Sequence, residues 1–210
     1  MKICRAYVHP GFVRHEFMAS VLRMKDRYDL EIVQEESGTN VQTARNACLH
    51  RFLETDSDFL FFADTDMSWG ADVPERLIAC DVPIVSALYL GRGPKGEFPV
   101  GTGFVRFGEG SVMHNLQLED LEGLVEVAGV GMGCCMIRRE VIHRVMANRS
   151  GEHTHNWPFA LGELKSPGID EGVTVSEDIN FCLRAKEVGF KSYIASDIPV
   201  GHVKAVVIQP

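Results

Sequence analysis

Five consecutive apolar residues, Phe59-Leu60-Phe61-Phe62-Ala63, end abruptly in Asp64-Thr65-Asp66. A strand with one wet face alternates apolar and polar side chains. An unbroken apolar run of this length fits a strand covered on both faces, as in a mostly parallel sheet between helices. The sequence before it agrees. Lys2–Val8 reads as a short strand closed by the turn His9-Pro10-Gly11. Glu16–Lys25 places Phe17, Val21, Leu22 and Met24 at near-helical spacing, and Tyr28–Val33 is a second strand. Val41–Glu54 carries Ala44, Ala47, Cys48, Phe52 and Leu53 at helical spacing, with Thr39 or Asn40 as its N-cap. After the apolar run, Val73–Cys80 reads as a helix and Val82–Tyr89 as a strand. Strands interleaved with helices imply βαβ units and an α/β sandwich.

The second half is less regular. Gly91–Gly103 is rich in Gly and Pro and predicts a loop; Val125–Gly129 and Cys134–Ile137 predict extended chain, and Arg138–Ala147 a helix. Asn148–Thr174 is a polar stretch of a length that, in compact domains, belongs to lids or disordered segments. Ser176–Val188 returns to helix and Lys191–Ala195 to strand. With no internal repeat or low-complexity tract, one domain over residues 1–210 is the economical reading.

Composition narrows the function classes. With 210 residues and 45% hydrophobic content, the chain can bury a full core. Its net charge of −8 opposes binding to bulk DNA, RNA or anionic membrane, although a local basic cleft escapes that argument. The apolar stretches Phe59–Ala63 and Val127–Ile137 fall well short of the roughly 20 residues of a membrane span. The opening Met1-Lys2-Ile3-Cys4-Arg5 lacks the apolar core of a secretory signal, so a cytoplasmic location is expected. The cysteines Cys4, Cys48, Cys80, Cys134, Cys135 and Cys182 form no Cys-x-x-Cys pair. They read as reduced thiols that pack as small apolar residues.

Three short segments carry the chemistry. Asp64 and Asp66 follow a buried strand, and ligands bind at the carboxyl ends of strands in open α/β sheets. Two acids at i and i+2 can share a hard cation that neutralises a diphosphate; Asp is also a common turn residue. Ser176-Glu177-Asp178 fits a helix start with acids in the first turn, and equally a general base at a cleft mouth. Asp197-Ile198-Pro199-Val200-Gly201-His202 places an imidazole after a strand and a glycine. A lone His is commonly structural, but with Asp66 it completes a carboxylate–imidazole pair suited to Mn²⁺.

In this order, the three segments resemble nucleotide-sugar glycosyltransferases of the GT-A fold, in the broad family 2-like group, and among them the short bacteriophage and bacterial members. Thr43-Ala44-Arg45-Asn46 before the Asp-x-Asp strand is similar to that group's Ala-Arg-Asn helix. Val130-Gly131-Met132-Gly133-Cys134-Cys135-Met136-Ile137-Arg138-Arg139 resembles its central glycine segment, and Asn156-Trp157-Pro158-Phe159 precedes the Glu-Asp motif at the usual place. The pattern Glu177-Asp178, Phe181-Cys182, Gly189-Phe190, Asp197, His202 is the most specific part, and the likeness runs from about Val8 to His202. Two features depart from it. Tyr7-Val8-His9-Pro10-Gly11 stands where a Pro-Thr-Tyr-Asn type ending is usual, and Gln34-Glu35-Glu36 replaces the acidic residue after the second strand.

The resemblance implies a single-domain Rossmann-like αβα sandwich with a mostly parallel sheet, residues 1–90 forming the nucleotide half and 91–210 the acceptor and metal half. It implies a metal-dependent transferase that moves a sugar from a nucleotide-diphosphate donor, such as a UDP-sugar, to a hydroxyl with inversion. Asp66, His202 and Asp64 would hold Mn²⁺ or Mg²⁺. Arg45, Asn46, Asp64, Gly131 and Gly133 would meet the donor. Asp178, or else Glu177, would be the base. The acceptor is left open among surface glycans, lipid-linked sugars, proteins and hydroxylated bases in phage DNA, and a homo-oligomer is open. A nucleotidyltransferase and a non-catalytic nucleotide-sugar-binding module are the alternatives. Several further residues keep two readings. Gly131 and Gly133 serve close approach of the donor or a tight turn, and Trp69 and Trp157 stack on ligand or anchor core and loop. Arg138-Arg139 is a helix face or a phosphate contact, and His153 and His155 a solvated loop pair or a metal pair.

Overall fold

The structure is a computed structural model, described here for residues 2–25, 28, 30–38, 40–91, 100–101, 105–107, 113–115, 121–148, 157–164 and 173–204. The first half runs β1 (Ile3–His9), α1 (His15–Lys25), β2 (Leu30–Glu36), α2 (Val41–Glu54), β3 (Phe59–Ala63), β4 (Met67–Ser68), α3 (Val73–Ala79) and β5 (Ile84–Leu88). Four short strands follow: β6 (Leu90–Gly91), β7 (Val100–Gly101), β8 (Val105–Phe107) and β9 (Met113–Asn115). The rest comprises β10 (Leu124–Val127), β11 (Cys134–Arg138), α4 (Arg139–Ala147), β12 (Gly162–Leu164), β13 (Val173–Val175), α5 (Glu177–Glu187), β14 (Ser192–Pro199) and β15 (Gly201–His202).

Seven strands make one sheet in the order β10-β14-β5-β11-β3-β1-β2. The pairs β1–β2, β1–β3 and β5–β14 are parallel, whereas β11 runs against both β3 and β5 and β10 runs against β14. Five strands therefore share one direction, which makes the sheet mostly parallel. The apolar run of β3 lies inside it, paired to β1 on one side and β11 on the other. Successive side chains of a strand point to opposite faces. Phe61 meets Trp69 edge-on at 5.7 Å, and Trp69 meets Phe17 of α1 at 5.3 Å. Phe62, on the other face, meets Phe159 at 5.5 Å, which stacks on Phe181 of α5 at 4.6 Å. Both faces of β3 are thus covered by aromatic layers, the reason a run without a polar residue is stable there. All six cysteines are free thiols; five are buried and Cys80 is half-buried.

The helix and strand expectations agree with these elements to within a few residues. Asn40 is the N-cap of α2: its Oδ1 accepts from the Gln42 and Thr43 amides at 3.0 and 3.2 Å. Thr39 lies outside the described residues. Ser176 stands at the N-cap of α5, but its hydroxyl donates to the Asp178 carboxylate rather than to the helix backbone. The last sheet strand is longer than Lys191–Ala195. After a register shift it returns to β5, where Pro199 pairs with Leu88. The Gly/Pro-rich stretch holds a backbone ladder of β6 with β7, and the polar excursion holds β12, paired to β13. Cross-strand pairing sustains such short strands where composition gives no period. No helix among the described residues is long and apolar enough to cross a membrane.

Candidate active site

The site begins where β3 stops. The Asp64 amide donates to Gly133 O of the neighbouring β11 side at 2.9 Å, and the Met67 amide closes a turn onto Asp64 O at 3.0 Å. That turn leads into β4, which pairs with β15 through Ser68↔Gly201 and Met67↔His202. A Cβ at Gly201 would stand 2.4 Å from Ser68 Oγ but 3.6 Å from the Ser68 carbonyl oxygen, so a side chain there would require the Ser68 hydroxyl to turn away. The turn divides the two acids between different partners.

Asp64 faces Arg45. The buried guanidinium donates from Nη1 to Glu177 Oε1 at 2.6 Å and from Nη2 to Asp64 Oδ1 at 3.3 Å, with Asp178 Oδ2 3.9 Å away. One cation therefore serves three carboxylates drawn from β3's end and the first turn of α5. Burial lowers the Arg45 pKa, but Asp64, Asp178 and Glu177 together raise it above its ordinary value. The guanidinium stays charged. Burial pushes the Glu177 carboxyl up, and the neighbouring Asp178 adds to this against the pull of Arg45. Glu177 is thus a buried, committed ion-pair partner, whereas Asp178 is divided between two environments. Its Oδ1 accepts from the Ile179 amide at 2.8 Å and from the Ser176 hydroxyl. Its Oδ2 lies 3.5 Å from where a Gly131 Cβ would stand. The α5 N-terminus favours negative charge at both acids.

Asp66 faces the C-terminal segment. His202 Nδ1 is 2.8 Å from Leu90 O, and a carbonyl only accepts, so that nitrogen carries the proton. Nε2 then points at Asp66 Oδ2 over 3.2 Å, and Lys204 Nζ lies 2.5 Å from the same oxygen. The Val203 amide also binds Asp66 O at 2.7 Å. Burial alone raises the Asp66 carboxyl, but the bonds from His202 and Lys204 outweigh it and bring it down to about 2.

These donors fit a divalent cation of a particular kind. An imidazole whose Nδ1 is tied to a carbonyl presents Nε2 to its other neighbour, here a carboxylate, and a cation that took the place of the Nε2 proton would find the arrangement of a metal-ligating histidine. Carboxylate with imidazole suits Mn²⁺. Among the described residues, no three His, Cys, Asp or Glu side chains gather as a metal site. Asp64 faces Arg45, which leaves Asp66 and His202 as the described side chains that could meet a cation together, and substrate phosphates can supply further ligands to such a site.

A cleft of about 320 Å³ opens beside this turn, lined by Val8, Phe12, Ser37, Val41, Arg45 and both aspartates. Phe12 is 62% exposed at its mouth. A larger cavity, about 420 Å³, lies between β10, α5 and β14 and touches none of the residues above.

Gly131 and Gly133 lie against buried Tyr89. A Cβ on Gly131 would stand 2.3 Å from the Tyr89 hydroxyl oxygen, and one on Gly133 would be 3.0 Å from it. That oxygen accepts from the Gly133 amide at 3.3 Å. Asn46 is buried on α2, donating from Nδ2 to Phe159 O and Gln42 O at 2.6 and 2.8 Å and accepting from the Phe159 amide at 3.0 Å. Trp69 is a core residue, donating toward Met24 Sδ, whereas Trp157 is 40% exposed. Arg139 donates to the carbonyls of Phe52 in the last turn of α2 and of Thr55 and Ser57 beyond it, and Arg138 to Val82 O. His153 and His155 lie outside the described residues. Tyr89 and Lys204 are the parts of the site that sequence reasoning missed. The signal for Tyr89 is its place as the last residue of the strand read over Val82–Tyr89; Lys204, two residues past His202, carries none.

The sequence matches no family model, and no curated protein matches it. Among solved structures, A197 from STIV superposes with a TM-score of 0.60 at 18% identity, over 100% of this chain and 98% of that one. GalNAc-T7, solved with UDP, GalNAc and Mn²⁺, gives 0.59 at 11% identity, over 98% of this chain and 44% of its own. Residues 1–349 of S. aureus TarS, solved with UDP-GlcNAc, give 0.56 at 13% identity, over 99% and 60%. The chain thus spans less than two thirds of the latter two. The common feature is the fold, a mixed α/β sandwich of the GT-A kind around a mostly parallel seven-stranded sheet.

Proposed function

We propose that this protein is a glycosyltransferase that moves a sugar from a nucleoside-diphosphate donor to an acceptor hydroxyl, inverting the anomeric centre. One observation carries the reading: Asp66 with His202, and Asp178 with Arg45, converge at the end of β3 beside a cleft of about 320 Å³. In a fold whose ligands bind at strand carboxyl ends, that is where a nucleotide and its reacting bond belong. Two of the solved structures that share the fold hold UDP or UDP-GlcNAc, which supports the donor class.

The residues divide the work. Phe12 and Val41 offer the base and ribose an apolar wall, and Arg45 brings a fixed positive charge toward the donor. Asp178 Oδ2 takes the proton of the acceptor hydroxyl as its oxygen bonds to the anomeric carbon; the bond from that carbon to the diphosphate breaks, and the nucleoside diphosphate leaves with the electron pair. Ser176 and the Ile179 amide hold the other oxygen of Asp178, which aims Oδ2. Glu177 fixes Arg45. Asp66 and His202 are the residues that would hold a divalent cation, and a bound Mn²⁺ or Mg²⁺ would offset the charge of the departing diphosphate. Asn46 acts at one remove, by seating Phe159, and Gly131 and Gly133 by making room for Tyr89.

The test is a donor screen. UDP with Mn²⁺ should raise the melting temperature, and Asp66→Ala should abolish the shift. Nucleoside-diphosphate release from a panel of nucleotide sugars, offered glycans and hydroxylated DNA bases as acceptors, should then identify the pair, with the product checked by mass spectrometry. No shift with any nucleotide and metal would overturn the proposal. Pyrophosphate release from a nucleoside triphosphate would point instead to nucleotidyl transfer. Nucleotide-sugar binding that survives Asp178→Asn, with no turnover by the unaltered protein, would point to a binding module.

A further inference from the structure

We propose that the Lys204 ammonium is the resident counter-ion of Asp66 and competes with a divalent cation for that carboxylate. The inference rests on the metal-site reading above and adds to it a built-in occupant. Lys204 Nζ lies 2.5 Å from Asp66 Oδ2, the same oxygen that His202 Nε2 faces. The two side chains are 34% and 30% exposed, so the pair is partly shielded from solvent. Lys204 cannot drift far, because the Val203 amide is bonded to Asp66 O at 2.7 Å and His202 is paired in β15. A charge tethered one residue away acts at high effective concentration.

A dication on Oδ2 would bond at about 2.0–2.2 Å and would lie within a few ångströms of Nζ if Lys204 stayed in place. Like charges so close in a partly covered site repel strongly. The cation and the ammonium are therefore alternatives on one oxygen. Lysine suits this use, as a point charge on a flexible stem that can swing aside without disturbing the backbone. Once displaced, the ammonium needs a new anionic partner, and a diphosphate arriving at the same turn supplies one. Metal and nucleoside diphosphate then favour the same arrangement of Lys204, so each should tighten the other.

The experiment is a titration of the protein with Mn²⁺, read from the free-ion paramagnetic resonance signal, with and without UDP. Lys204→Met should bind Mn²⁺ alone about fivefold tighter than the unaltered protein, the upper size expected of a partly exposed ion pair. It should also show a smaller gain in Mn²⁺ affinity on adding UDP. Lys204→Arg, which keeps the charge, should stay near the unaltered protein. Unchanged or weaker Mn²⁺ binding by Lys204→Met, where Asp66→Asn abolishes binding, would overturn the competition and leave the metal reading standing. No Mn²⁺ binding by any variant, with or without UDP, would overturn both.

Discussion

Arg45 Nη1 on α2 and Glu177 Oε1 on α5 stand 2.6 Å apart inside the molecule, 132 residues apart in sequence. This bond closes the site across its two halves. The guanidinium and the Glu177 carboxylate are only 6% and 10% exposed. Removing one charge of such a pair strands the other in a poorly solvated place. Arg45→Met should therefore lower the unfolding free energy by about 3–5 kcal/mol, and Arg45→Met with Glu177→Leu should recover much of that. Urea unfolding of the three variants measures it. A loss below about 1 kcal/mol in the single variant would show that water reaches the pair.

The same bond separates the two candidate bases. Glu177→Gln keeps an oxygen that accepts from Arg45, so turnover should stay within about tenfold of the unaltered protein. Asp178→Asn removes the atom that receives the proton and should cost about 10²–10⁴ in kcat, with UDP affinity unchanged by calorimetry. The reverse order of losses would assign the base to Glu177.

Much of this was readable from residue types. The unbroken apolar run from Phe59 to Ala63 located a covered strand, because no polar side chain had to be accommodated, and Asp64 and Asp66 marked its end. The Asn40 cap and the helical spacing of Ala44, Cys48 and Phe52 placed α2. What was not readable depends on contacts between distant segments. Nothing in Asp64-Thr65-Asp66 says that its two acids turn to different cations, Arg45 and Lys204. Nor does the spacing of Gly131 and Gly133 reveal that Tyr89, some 40 residues earlier, fills the space they leave. Arg138-Arg139 reads as a helix face or a phosphate contact, yet Arg139 spends its donors on carbonyls in the last turn of α2 and just beyond it, which only the folded chain brings into reach.

Asp66 should shape the acid limb of stability in the metal-free protein. Its carboxyl is brought from the ordinary 3.8 down to about 2. The folded state holds this proton less tightly than the unfolded chain, so the stabilisation is complete above about pH 4 and drains away as the pH falls towards about 2. With 30% of the side chain exposed, screening leaves about 1–2 kcal/mol. Unfolding free energies measured in EDTA should fall less steeply between those pH values for Asp66→Asn. Parallel acid limbs would mean that His202 and Lys204 do not hold the carboxylate in solution.

Asn46 should matter more to order than to binding. Its amide satisfies both the N–H and the C=O of Phe159. Asn46→Ala leaves those buried groups without that partner, which should cost about 2–3 kcal/mol. Amide exchange at Phe159 should accelerate strongly, while UDP affinity changes little. Loss of UDP affinity without faster exchange would instead make Asn46 a direct donor contact.

The tightest steric demand in the site falls on Gly131. A methyl group there would sit 2.3 Å from the Tyr89 hydroxyl oxygen and 3.6 Å from the ring carbon that carries it. The ring has little room to retreat. It is buried, it lies against Gly133, and it meets the His202 imidazole edge-on at 5.6 Å. Gly131→Ala should therefore cost about 1–3 kcal/mol through overpacking, and the displaced ring should push on His202 and weaken Mn²⁺ binding. Tyr89→Phe removes the clashing oxygen at the cost of its bond to the Gly133 amide, about 1 kcal/mol. The double variant Gly131→Ala with Tyr89→Phe should then be more stable than Gly131→Ala alone, a coupling that thermal unfolding of all four proteins can read. If the two changes simply add, the glycine is required by some neighbour other than Tyr89.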